Sequence, residues 1–373
     1  MAPLKERTLA KKRRRRTSGF LSQQININSS LGSKKEEDIP VADIVNEITN
    51  RNDKAYAIKD DCVSIDISPG PTKRSLMLTI DAYNLSTSAG ASSIAGVKPG
   101  KDWINQDNYA QVDNTEELGS PSVYMVFDGH GRFGHVVSKH CKAVLPKILA
   151  ETGYDQERAI SVLQSDLESS AIDIECSGCT CVTAIVKQNR TIEVGNVGDS
   201  RAIILQRSPN NTLKALPLSI DHKPSQLDER KRILETGGRI ASKHCSAGPS
   251  RVWFEYNNTT MGLAMSRSVG DEFAHRVGVS HEPQIFHHKI EPQDTCIVLA
   301  SDGLWDVYSN DEVAHLIQTC INGNYADWNA KIAAVFLTKM ARMRWEHIST
   351  EHIDDVTCLV IKIEPQRTFQ FDF

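Results

Sequence analysis

Apolar positions along the chain fall into short alternating runs, and several of these runs stop at an aspartate. Residues 122–127, 180–187, 191–197, 202–206, 295–300 and 356–363 have the β-branched and apolar content that predicts strands. Residues 134–150, 156–172, 226–236, 311–321 and 327–345 read as helices. The last of these places Ile332, Phe336, Met340 and Met343 on one face. Gly237 and Gly238 supply a helix stop after the third. Upstream, Val41, Ile44, Val45 and Ile48 have the spacing of a short amphipathic helix. The helices interrupt the strand runs without a regular βαβ alternation, and 180–206 reads as consecutive hairpins. An α+β fold is expected, with antiparallel sheets carrying helices on their outer faces.

Composition sharpens this picture. A chain of 373 residues with 40% hydrophobic and 24% charged content can bury a full core. Residues 1–71 are poor in aromatics and rich in Lys, Ser and Asn. They read as a largely disordered basic extension, followed by a globular domain over 72–364 and a short tail over 365–373. No apolar run approaches the roughly 18–20 residues that cross a bilayer. There is no signal-peptide core, and Ala2 stands where myristoylation needs glycine. The nine cysteines are odd in number, and Cys296 and Cys358 sit in apolar runs, so reduced, buried thiols are expected. Cys176, Cys179 and Cys181 suggest zinc, but no second cluster completes a ligand set, and core packing is the preferred reading.

The net charge of −4 divides into +7 over residues 1–20 and −11 over the rest. An acidic body is no nucleic-acid surface. The basic run 11–16 is either a solvated tail or a nuclear-localisation or anion-binding patch, so a cytoplasmic or nuclear location is expected.

The candidate chemistry lies where strands end. Residues 123–127 run into Asp128, Gly129 and His130; 191–197 run into Gly198 and Asp199; 295–301 run into Asp302, with Asp306 just beyond. Asp354 and Asp355 precede the last strand, and Asn105, Gln106 and Asp107 precede an early one. A carboxylate at a strand end can point past the sheet into a shared cleft, and an adjacent glycine permits a sharp turn and a close-approaching carbonyl. One such Asp-Gly pair is an ordinary turn. Five together point toward a site where hard divalent cations such as Mg²⁺ or Mn²⁺ offset the repulsion. Pattern alone leaves both readings open.

Five segments occur in a fixed order: residues 126–131 (VFDGHG), 195–201 (GNVGDSR), 262–271 (GLAMSRSVGD), 300–306 (ASDGLWD) and 354–357 (DDVT). Residues 221–224 (DHKP) and 235–238 (ETGG) accompany them. Together they resemble the PPM family, the type 2C metal-dependent protein serine/threonine phosphatases, over roughly residues 75–364. The resemblance implies a four-layer α-β-β-α sandwich, two antiparallel sheets stacked between helical layers, with two Mg²⁺ or Mn²⁺ ions at one end. By position, Asp128 bridges both ions and the Gly129 carbonyl completes one shell. Asp302 and Asp354 ligate the other ion, Asp107 and Gln106 contact metal-bound water, and Asp199 and Asp306 fall at a third, weaker site. Residues 241–260 resemble the family's variable flap.

The implied reaction is hydrolysis of phosphoserine and phosphothreonine in protein substrates by a metal-bridged hydroxide, with no cysteine nucleophile. His130 is the candidate general acid, with a structural histidine as the other reading. His135 and His140, on the following helix, read as packing or capping residues. Two departures matter. Asp102 stands where many members carry a phosphate-holding arginine, leaving Lys101 as the phosphate-binding candidate without arginine's bidentate fork. Gln106 replaces a frequent glutamate. These departures motivate an alternative, a pseudophosphatase acting as a scaffold. A monomer without nucleic-acid or membrane partners is expected.

Overall fold

The computed structural model describes residues 87–99, 102–113, 120–244, 247–322 and 328–363. The proposed extension and its basic run 11–16, the helix at 41–48, Lys101 and the tail 365–373 lie outside the described residues.

In chain order the first strands are β1 (Thr87–Ile94), β2 (Asn108–Val112), β3 (Ser122–Phe127), β4 (Gly129–His130), β5 (Gly178–Cys179), β6 (Cys181–Val186), β7 (Thr191–Val197) and β8 (Arg201–Arg207). They are followed by β9 (Leu213–Pro217), β10 (Arg239–His244), β11 (Ala247–Tyr256), β12 (Thr259–Leu263), β13 (Val269–Gly270), β14 (Gln284–Lys289), β15 (Asp294–Ala300) and β16 (Val356–Ile363). The helices are α1 (Gly134–Glu151), α2 (Gln156–Ser169), α3 (Leu227–Glu235), α4 (Glu272–His275), α5 (Asp302–Trp305), α6 (Asn310–Asn322) and α7 (Ala330–Ile348).

Two five-stranded antiparallel sheets form the centre, ordered β1-β16-β15-β8-β9 and β14-β7-β6-β3-β2. One apolar cluster joins their facing surfaces: Tyr124, Val126 and Val182 from the second sheet meet Ile204, Leu299 and Leu359 from the first. The outer face of the first sheet packs on α6 and α7 through Val298, Val360, Ile317 and Leu337. The outer face of the second packs on α1 and α2 through Met125, Phe127, Leu145 and Leu163. The result is the expected helix-sheet-sheet-helix stack. Because both of its faces are covered, all six residues of β6 are buried, and its sequence reads as a continuous apolar run rather than an alternation.

Side chains fix where helices begin. Asp155 accepts a bond from the Arg158 backbone N–H at 3.0 Å, and Asn329 accepts from Ile332 N–H at 2.8 Å. The last helix therefore starts at Ala330 rather than at 327, because Asn329 supplies the cap. The expectation of consecutive hairpins over 180–206 fails at its third strand. β6 and β7 pair with each other, but β8 belongs to the other sheet, between β15 and β9. The chain crosses at Gly198, whose φ of +105° and close approach to Thr180 leave no room for a side chain.

Residues β10 to β12 form a separate three-stranded antiparallel sheet. Val252 and Phe254 of β11 pack with Ile233 of α3 and Ala274 of α4, so the described part of the expected flap is a sheet anchored on these two helices. No helix among the described residues is long and apolar enough to cross a membrane.

Candidate active site

Strand β3 ends at Asp128, whose backbone is locked on both sides. Its N–H donates to the Thr180 hydroxyl at 3.0 Å, and its carbonyl accepts from Thr180 N–H at 2.8 Å. Gly129 then passes so close to the 106 and 134 backbones that a Cβ would lie 2.5 Å from two carbonyl oxygens. Only glycine fits, which explains the Asp-Gly pair in physical terms.

Asp107 approaches from the other side. It is buried, with Oδ2 accepting from the Ser301 hydroxyl at 2.7 Å, while Oδ1 is buried without a hydrogen-bond partner. Burial, then the charge of Asp355, pushes its carboxyl up to about 7. Its neighbour Gln106 uses its side-chain amide to donate to the Gly131 carbonyl at 3.0 Å, so the amide braces the turn after His130. Asp355 organises this loop: it accepts from Gly96 N–H at 2.6 Å, Trp103 Nε1 at 2.8 Å and Gln106 N–H at 2.8 Å.

Asp302 opens the short α5 at the end of β15. Burial and the charges of Asp306, Asp354 and Asp199 hold its carboxyl well above the usual carboxylate range. Asp128 is raised likewise, by burial and then by Asp107, Asp302, Asp354 and Asp199. Carboxylates from separate segments thus act together on Asp128 and Asp302, which share with Gln106, Gly129, His130 and Asp354 the wall of a cavity of about 250 Å³. Two lysines partly offset this charge. Lys98 Nζ lies 2.9 Å from Asp354 Oδ1, and Lys223 Nζ lies 2.5 Å from Asp199 Oδ2. Asp199 Oδ1 is buried without a partner, and Asp306 is exposed at the rim. Among the described residues, no three of these groups close into a finished coordination cage.

The arrangement nonetheless fits hard divalent cations. The donors are all oxygen, two of their buried oxygens lack partners, and burial with neighbouring negative charge disfavours the ionised forms of Asp107, Asp128 and Asp302 unless positive charge enters.

His130 lines the same cleft, with Nε2 placed 2.5 Å from Asp271 Oδ2. Burial alone would lower its pKa, but the charge and hydrogen bond of Asp271 outweigh burial and raise it. Because Nε2 donates to Asp271, Nδ1 is the nitrogen left to act, and it is buried without a partner. Asp271 is itself in the left-handed region, φ 46° and ψ 47°, directly after Gly270 at φ +88°. Few residues other than glycine, asparagine and aspartate adopt that conformation. In the sequence Asp355 is only the neighbour of Asp354 before the last strand, which does not foretell its role in holding Gly96, Trp103 and Gln106; Asp271 does not stand out as a site residue at all. The only signal for Asp271 was its place at the end of residues 262–271.

The remaining expectations resolve simply. His140 Nε2 lies 2.5 Å from Asp166 Oδ2, tying α1 to α2 rather than capping a helix. Cys179 and Cys181 belong to the buried core. The Cys141 contact at 3.6 Å and burial push the Cys179 thiol well up, which keeps it protonated and a poor nucleophile.

The protein phosphatase 2C family model matches residues 105–346, and the chain belongs to that family of serine/threonine phosphatases. It is 33% identical over 322 residues to the rice protein "Probable protein phosphatase 2C 14", covering 73% of this chain and 60% of that protein. The chain thus spans less than two thirds of that relative's length. It is 31% identical over 325 residues to "Probable protein phosphatase 2C 6" of Arabidopsis thaliana, covering 73% of this chain and 65% of that one. Among solved structures, the fold is shared with a serine-threonine phosphatase 2C from Toxoplasma gondii: TM-score 0.63, 19% identity, 74% of this chain and 95% of that one. It is also shared with a C. elegans sex-determining protein: TM-score 0.59, 22% identity, 74% and 65% covered.

Proposed function

We propose that the chain hydrolyses phosphoserine and phosphothreonine esters in proteins, using divalent cations held by Asp128, the Gly129 carbonyl, Asp302, Asp354 and Asp107. One observation carries this reading: carboxylates from separate segments gather close enough that their charge, with burial, raises Asp128 and Asp302, while buried oxygens of Asp107 and Asp199 have no partner. Mg²⁺ or Mn²⁺, when bound there, would supply an activated water and positive charge for the phosphoryl oxygens. Asp199 and Asp306 are the candidates for a further, weaker ion.

The chain's own residues do the rest. Gly129 keeps its backbone close to Gln106 and so fixes the relative position of Asp107 and Asp128. Asp271 orients His130 through Nε2 and favours its protonated form, in which Nδ1–H is the proton available to the departing serine or threonine oxygen. The test is phosphate release from a phosphothreonine peptide with Mn²⁺ or Mg²⁺ against EDTA. Release requires the metal on this reading, and equal release in EDTA overturns it.

A scaffold reading draws on the two lysines, which partly neutralise Asp354 and Asp199 without any metal. Mn²⁺ binding with no turnover on any phosphopeptide would favour it.

A further inference from the structure

The far end of the first sheet holds a groove of about 890 Å³ that the phosphatase chemistry does not use. Strands β8, β15 and β16 each run between this groove and the carboxylate cleft. Asp199 precedes β8, Asp302 follows β15 and Asp354 precedes β16, while Arg207, Thr295 and Lys362 line the groove at the other strand ends. Among the described residues that line it, Arg207, Lys214 and Lys362 are cationic and Asp294 is acidic. That acid is already engaged. Its side chain is 0% exposed, Oδ1 accepts from Gln206 Nε2 at 2.8 Å, and Oδ2 accepts from Glu291 N–H at 2.7 Å and lies 2.8 Å from His288 Nε2. Arg207 bonds the neutral amide oxygen of Asn211 at 2.7 Å, Lys214 is exposed, and the Lys362 ammonium stands 5.4 Å from the centre of the Trp328 ring. Trp328 and Leu216, the latter 40% exposed, set apolar surface beside the cations. Residues 21–373 carry a net charge of −11, so a cationic groove reverses the local field and selects acidic ligands. The carboxylate cleft repels acidic sequence beside a phosphoryl group. The groove, about 25 Å away along the eight residues of β16, attracts it.

We propose that this groove docks an acidic segment of the phosphoprotein substrate, one that carries an apolar side chain among its carboxylates. The proposal rests on the phosphatase reading of the cleft, whose local substrate concentration the docking raises. Arg207 and Lys214 take the carboxylates, and Trp328 takes the apolar side chain. Because strands fix the span between groove and cleft, docking segment and phosphorylated residue must stand at least about eight extended residues apart.

The test uses the full chain with residues 11–16 changed to alanine, which removes the competing basic run, with and without the pair Arg207→Glu and Lys214→Glu. Anisotropy of a fluorescein-labelled Glu-Glu-Phe-Glu-Glu peptide should show saturable binding that charge reversal, or about 0.5 M salt, weakens at least about tenfold. Glycine in place of the peptide's phenylalanine should weaken it about fivefold. Fusing the peptide to a phosphothreonine peptide through about twenty glycine and serine residues should lower KM about tenfold with kcat unchanged, and a linker of about four should not. The charge-reversed protein should lose that advantage yet turn over the unfused peptide equally well. No saturable binding, equal binding after charge reversal, or binding without a KM advantage overturns the proposal. Oligouridine that binds more tightly than the peptide, and is lost in the same variant, overturns it in favour of a nucleic-acid groove. If neither protein turns over any phosphopeptide, the phosphatase reading falls separately. Charge-dependent peptide binding would then still support the acid-docking groove, and its absence would overturn it.

Discussion

Two lysine–aspartate pairs flank the carboxylate cleft, built from the same residue types with similarly exposed lysines but carboxylates at opposite degrees of burial. The Lys98–Asp354 pair sits on the rim, its side chains 27% and 37% exposed. In the Lys223–Asp199 pair the carboxylate is only 1% exposed and the contact closes to 2.5 Å. Water screens the first pair, so Asp354 can exchange its lysine for another cation at little cost. The second cannot lose its lysine without stranding a charge in a poorly solvated position. Chemistry equal on paper therefore yields an exchangeable latch on one side and a fixed brace on the other, and burial decides which is which.

Asp302 joins the two sides, since it feels Asp354 and Asp199 together with Lys223. Asp302→Asn should therefore have the largest effect, a loss of roughly a hundredfold or more in phosphopeptide turnover. Near-wild-type turnover would separate the two sides functionally. Next, Lys223→Met should destabilise the metal-free protein by about 2–3 kcal/mol in urea unfolding, with Mn²⁺ restoring part of the loss.

The residue before Lys223 gives a pH signature. His222 Nδ1 accepts from Gly198 N–H at 3.2 Å and Nε2 faces Gln284. Burial, then the charge of Arg267, pushes its pKa down to about 4. Between the unfolded value near 6.5 and that lower value, the unfolded chain takes a proton that the folded chain refuses, so stability falls with pH. The loss attributable to His222 is about 2 kcal/mol from pH 7 to pH 5. His222→Asn should show a flatter pH dependence of unfolding, and an unchanged slope would contradict the assignment.

Asp271→Asn should lower kcat about tenfold and move the limb that needs protonated His130 to lower pH, because the charge that raises its pKa is gone. An unshifted profile would remove His130 from the proton transfer. The smallest effect expected is on the rim: Lys98→Met should change metal-free stability by less than about 1 kcal/mol. A larger loss would make both pairs braces.

What the sequence could announce was local. Asp128 follows its strand directly and Asp199 and Asp302 follow theirs after a single residue, so all three were legible from the run-and-stop pattern. The glycine at 129 was legible for the same reason, and the structure supplies its cause in the 2.5 Å approach of two backbones. Contacts between distant segments were not legible. Asp271 meets His130 across 141 residues of chain, and Asp355 gathers Gly96, Trp103 and Gln106 from a different strand connection. The crossing of the chain between sheets after β7 was hidden as well, since β8 has the same apolar pattern in either sheet. Lys98 lies in a loop whose course depends on its bridge to Ile353, a partner more than 250 residues away.

Calorimetry of Mn²⁺ binding at pH 6, repeated in buffers of different ionisation heat, tests most directly whether these carboxylates are gathered around cation sites. Asp107, Asp128 and Asp302 are all raised by burial and neighbouring charge. Binding should therefore expel about one proton or more per chain and weaken sharply in Asp302→Asn. Binding without proton release, at equal affinity in Asp302→Asn, would put the cation elsewhere on the molecule.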